Sequence, residues 1–138
     1  MLEYKLQFAE FITRLFVGIL FFTQGYDKVF NIKISGVVDN FLADAEHLHI
    51  HKPMVKLFTY LTSFIELIGG FFLIIGLYIN YTLVILGFDL VLVCFAFSMV
   101  CPMWDMQYVF PRLLLVIILL FLPSEYNTFG LDHFLNIK

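Results

Sequence analysis

The stretch from Leu57 to Ile79, LFTYLTSFIELIGGFFLIIGLYI, limits the fold more than any other part of the chain. At about 1.5 Å per residue it is long enough to cross a hydrocarbon layer of roughly 30 Å as a helix. It carries one charged residue, Glu66. A carboxylate at that depth costs roughly 2.5–3.5 kcal/mol on insertion scales, so it needs a polar partner or a task. Gly69 and Gly70 follow on the same helical face, where a neighbouring helix can approach closely.

The rest of the chain repeats the pattern. Of its 138 residues, 62% are hydrophobic and 14% charged, against roughly 45–50% and about 25% in a soluble domain. The excess falls in runs of about twenty residues, the length a membrane helix needs. They place spans at about 8–29, 57–79, 81–100 and 108–123, with one sizeable loop at 30–54 and an interfacial tail at 124–138. The expected fold is all-α: an integral membrane four-helix bundle, one membrane domain over residues 1–138. The first run is too long for a signal peptide, carries Arg14 and lacks a small-x-small cleavage site, so it is expected to be retained.

Charge and cysteine usage exclude several classes. The net charge of −3 sits at span ends or inside spans, and no basic cluster points to nucleic acid. Cys94 and Cys101 stand two turns apart on one expected helix, about 10 Å between Cα atoms and beyond disulfide reach. They read as small buried hydrophobes, and a thioredoxin-like C-x-x-C is absent.

In the first span Arg14, Gly18, Phe21, Gly25 and Lys28 recur at helical spacing, within about 80° of one another around the helix. That stripe is expected to face protein, with Arg14 deep and Lys28 either snorkelling to the interface or lining a site. Gln24 lies one turn before Lys28 and joins it as a candidate ligand-binding residue. In the loop, Val37, Val38, Phe41, Leu42, Ala45 and Leu48 follow a helical period opposite polar residues. They predict a short amphipathic interfacial helix between helices 1 and 2. His47, His49 and His51 alternate just before Pro53 and read as solvated rather than metal-binding. The short turn around Leu77–Asn80 makes the second and third spans adjacent and antiparallel.

The third span holds one charge, Asp89, and the fourth opens on Pro111-Arg112, with proline expected in its first turn. The segment from Pro102 to Tyr108, with Trp104, reads as an interfacial loop. Counting about 1.5 Å per residue puts Arg14 about 9 Å in from the end holding both termini, Asp89 about 14 Å and Glu66 about 18 Å. Arg112 lies about 6 Å in from the other end. Glu66 and Asp89 are therefore candidate catalytic, proton-moving acids, and Arg14 and Arg112 are expected to converge on them as one four-charge network.

Three segments carry a family resemblance. RLFVGILFFTQGYDKVF resembles the first-helix pattern of the DoxX family: Arg, Gly, aromatic, Gly, Lys. FIELIGGFFLIIGLYIN is similar to its second-helix pattern, an acid before a glycine pair and a further glycine before the turn. PRLLLVIILLFLP is similar to the start of its fourth helix. The resemblance spans most of residues 8–123 and departs from the family at Asp89 and the histidine tract. It implies a small membrane subunit of a quinone-linked redox or oxidant-defence complex in a bacterial inner membrane, with relatives that act as assembly factors.

The leading expectation is therefore a multi-pass subunit that offers a quinone a polar pocket and takes its electrons through a partner subunit. Arg14, Gln24, Lys28, Arg112, Gly69 and Gly70 would bind the ligand and Glu66 and Asp89 would move protons. No covalently bound cofactor is expected, because no nucleotide-binding glycine loop and no haem-ligand pair stands within the helices. The alternative is a scaffold or assembly factor whose buried charges lock the bundle, acting with a protein partner or as a homo-oligomer in the bilayer. A transporter or channel is less favoured, because no inverted repeat is evident. Lysines 33, 52 and 56 in the loop, against 5 and 138, lean toward both termini outside.

Overall fold

A computed structural model describes residues 1–48, 50–100, 102–123 and 126–135, without the side chains of Leu2, Leu48 and residues 102–106. His49 and Cys101, and the side chain of Trp104, lie outside the described residues. The described residues are helical with no strand. The helices are α1 (Leu2–Tyr26), α2 (Lys33–Asp44), α3 (Lys52–Ile75), α4 (Ile79–Val100), α5 (Pro102–Phe121) and the short α6 (Leu131–Phe134). A π-helical turn, Asp27–Asn31, continues α1, and a 3₁₀ turn, Glu46–Leu48, follows α2.

Among the described residues three helices are long and apolar enough to cross a membrane: α1 continued through the π turn, α3 and α4. The apolar part of α5, Gln107–Phe121, is shorter. Helix α1 packs most extensively on α3, α3 on α4 and α4 on α5, and a smaller α1–α5 contact closes the ring. The core inside it is aliphatic, with Phe21, Leu73, Leu83, Leu86, Leu90 and Val116 almost fully buried.

Glycine sets the α1–α3 distance. A Cβ on Gly25 would collide with the Leu67 backbone, and one on Gly70 with the Phe22 backbone. The two helices thus run antiparallel at backbone-to-backbone contact, the approach small residues permit. Gly69, by contrast, faces the Leu86 side chain of α4.

The α3–α4 turn ends α3 at Gly76, whose φ of 71° is left-handed and suits a residue without Cβ. Gly76 N–H donates to Leu73 O at 3.3 Å and Leu77 N–H to Phe72 O at 3.0 Å, the two bonds of a Schellman cap. Helix α4 then starts under a cap from far along the chain. Asp132 accepts from Tyr78 N–H at 2.7 Å and Ile79 N–H at 3.0 Å, and its own N–H donates to Gly76 O at 2.9 Å. The segment 126–135 is thereby folded back over the turn, with the Phe129 ring 5.3 Å from that of Phe11.

One expectation needs correcting. The segment expected as an interfacial loop from Pro102 to Tyr108 is the first part of α5, so Pro111 stands inside the helix and not in its first turn. An internal proline forfeits one backbone bond. Here Pro111 and Gln107, whose carbonyl loses its donor, are both exposed on the outer face of α5. Residues 30–54, expected to carry a short helix, hold α2, which rests on α3 with its Phe41 ring 6.3 Å from Phe97 of α4. The exposed Lys52–Asp39 pair, 2.7 Å, ties α2 to the start of α3.

Candidate functional site

The buried charges form two clusters, one at each end of the core. The first lies at the end that holds the α3–α4 turn. Arg14 has no exposed surface, and its Nε donates to Glu10 Oε1 at 2.8 Å. Its Nη1 donates to Leu73 O at 2.7 Å and Ile74 O at 3.4 Å. These carbonyls belong to the last turn of α3, where the helix dipole is negative and a cation is favoured. Cζ of Arg14 also lies 5.6 Å from the Phe11 ring centroid. Arg14 is thus a side-chain cap on α3. It does not reach Glu66, which corrects the four-charge network expected for it.

The second cluster lies deeper, toward the α2 end. Lys28 does not snorkel outward; its Nζ donates to Glu66 Oε2 at 2.6 Å. The Lys28 side chain keeps 19% of its exposure and that of Glu66 1%. Asp89 of α4 is 1% exposed, and both its carboxyl oxygens are buried without a hydrogen-bond partner. Glu66 and Lys28 act on it electrostatically. The register explains the meeting: Gly69 of α3 faces Leu86 of α4, and one turn toward the α2 end Glu66 comes level with Asp89.

Arg112 joins the same level from α5. Gly87 of α4 faces Val116 of α5, so Arg112, one turn earlier, stands opposite Val91. It makes no ion pair among the described residues, yet lies within electrostatic range of Glu66. Each of the four long helices therefore contributes one charge to this level: Lys28, Glu66, Asp89 and Arg112. Two further polar atoms there are buried and unpartnered, Gln24 Oε1 on α1 and Ser63 Oγ on α3. A buried polar group left unpaired costs about 1–3 kcal/mol, and the Arg14 end carries such atoms as well: Glu10 Oε2, Arg14 Nη2, Asn127 Oδ1 and Thr128 Oγ1.

Of the residues expected at the site, the structure brings Lys28, Glu66 and Asp89 together, with Arg112 in range and Gln24 one turn away. It sets Arg14 apart, and it uses Gly69 and Gly70 for helix packing. His47 and His51 are exposed, away from either cluster. Sequence reasoning missed Glu10, 4% exposed, although its position four residues before Arg14 is a standard ion-pair spacing. It also missed Ser63, one turn from Glu66, and the capping role of Asp132.

The chemistry open to the second cluster is narrow. Lys28 and Arg112 donate, while Asp89 and Gln24 present acceptors in a dry setting. That set suits a ligand with oxygens that can both accept and donate hydrogen bonds. The model of the DoxX family matches residues 9–99, which includes Lys28, Glu66 and Asp89. Neither the curated proteins nor the solved structures include a match to the chain.

Proposed function

The chain belongs to the DoxX family, and from that premise we propose that it is the small membrane subunit of a quinone-linked redox complex. The observation that carries this reading is Asp89, a buried carboxyl with two unpartnered oxygens beside a buried ion pair. An ionisable group placed so inside membrane helices is a functional group by default.

In this reading α5 is the fourth span, α2 lies in the membrane interface, and the protein sits in a bacterial inner membrane. The quinone supplies the two-electron chemistry, and a partner subunit exchanges electrons with it. Lys28 and Arg112 orient the ligand by donating to its oxygens. Asp89 and Gln24 accept from it, and Glu66 holds Lys28 in place by the 2.6 Å pair. The α1–α5 contact is the smallest around the ring, which supports it as the seam by which a lipophilic ligand enters from the bilayer.

The test is direct. Wild-type protein purified from native membrane and extracted with solvent is expected to yield quinone. Lys28→Met is expected to yield almost none, and Arg14→Ala the wild-type amount per folded molecule. A tightly held protein partner with no extractable quinone would favour the scaffold reading.

A further inference from the structure

The two charged clusters are separated by a mainly apolar layer, in which Thr82 of α4, level with Leu73, is a buried polar side chain. Between them α1 contributes Val17 and Phe21, α3 Leu73, α4 Leu83 and Leu86, and α5 Val116, each no more than 2% exposed. Apolar side chains buried to that degree offer a file of water few hydrogen-bond partners. Toward the α2 end the core continues apolar through Leu90 and Val109, but the Glu66–Lys28 pair carries charge from the buried level to the surface. Asp89 neighbours the Glu66–Lys28 pair, and Ser63 follows Glu66 one turn nearer the α2 end of α3. Lys28 is the member of the pair that retains exposure. It emerges at the π-helical turn, beside the exposed, hydrogen-bonded side chains of Asp27 and Asn31. A π turn inside a long helix recurs at functional sites, because it widens the helix and redirects its side chains.

We propose that Asp89 exchanges its proton with water at the α2 end only, through Glu66 and the opening at Lys28. The path is blind toward the α3–α4 turn. The proton leaving the Asp89 carboxyl is taken by the Glu66 carboxylate and passed to water at the Lys28 opening; uptake runs in reverse, and no electron moves. The charged groups facing Asp89 are Lys28 from α1 and Glu66 from α3, with Arg112 on α5 at the same level. Arg14 and Glu10 lie beyond the apolar layer and take no part. A one-sided path lets a redox site release or take up protons on a fixed side of the membrane, and the same layer opposes a through channel. The inference rests on the reading of this cluster as a working site, but its test needs no quinone.

The full-length protein, stripped of bound quinone, is reconstituted into vesicles and sorted by orientation. The infrared carbonyl band of protonated Asp89 is assigned by its loss in Asp89→Asn, or by its displacement in Asp89→Glu if the asparagine variant does not fold. The pH is then changed on one side at a time. The band amplitude is expected to follow the pH on the α2 side and to ignore the other. Glu66→Gln is expected to slow that response without reversing its side. A band that follows the pH on the side of the α3–α4 turn, on both sides, or on neither overturns the proposal. Quinone retention is measured on unstripped protein, so failure of the proton path and failure of the quinone reading are separate results.

Discussion

Removing the ammonium of Lys28 leaves Glu66 and Asp89 as two buried carboxyls on adjacent helices with no cation in contact. Breaking a buried pair from one side typically costs about 3–5 kcal/mol. Lys28→Met should therefore lower the unfolding midpoint in detergent strongly. Glu66→Gln should cost less, since the ammonium can turn toward the unpartnered Asp89; equal losses would argue against this arrangement. Asp89→Asn should be neutral or stabilising in the same assay, because it removes a buried carboxyl without a hydrogen-bond partner, while it abolishes ligand retention. A large loss of stability in Asp89→Asn would mean that Asp89 has a structural partner.

Which residues carry buried charge was legible in the sequence here, but the pairing was not. Side chains on a helix lean toward its N-terminus. On α1 that tilts Arg14 back to the α3–α4 turn and Lys28 inward, to meet a Glu66 that leans toward the α2 end. On α5 it tilts Arg112 toward the α2 end and away from contact. Counting rise alone treated both arginines as free to converge.

At the scale of elements, the α3–α4 turn is held from three parts of the chain: the Gly76 cap, Arg14 from α1 and Asp132 from the tail. Losing a side-chain cap costs about 0.5–2 kcal/mol. Asp132→Ala should thus destabilise modestly and speed hydrogen exchange at the Tyr78 and Ile79 amides, leaving the middle of α4 unchanged. Exchange spread evenly over α4 would show that the tail does not cap it. Gly70→Val places a side chain against the Phe22 backbone. Overpacking of this kind costs about 1–3 kcal/mol or more, and the variant should lose both its thermal midpoint and the Lys28–Glu66 contact. The spans and the short hairpin turn could be read from hydropathy and glycine placement. The cap from Asp132 could not, because a contact between positions so distant in sequence leaves no local periodicity. The start of α5 was missed for a related reason: proline at Pro111 argues locally for a helix start, and an exposed outer face tolerates it inside.

At the scale of the molecule, a mainly apolar layer divides the cluster around Arg14 from a second cluster with one charge from each long helix. The sequence showed that charges were buried in a membrane bundle. It did not show that they fall into two sets, since that depends on helix register. The most direct measurement is photolabelling of the wild-type protein in membranes with a photoreactive quinone analogue, read by mass spectrometry of the modified peptides. Label is predicted on the peptides around Lys28, Glu66 and Asp89, displaced by excess unlabelled quinone. Label confined to the Arg14 and tail region, or spread over the lipid-facing surface without displacement, would contradict the assignment of the site.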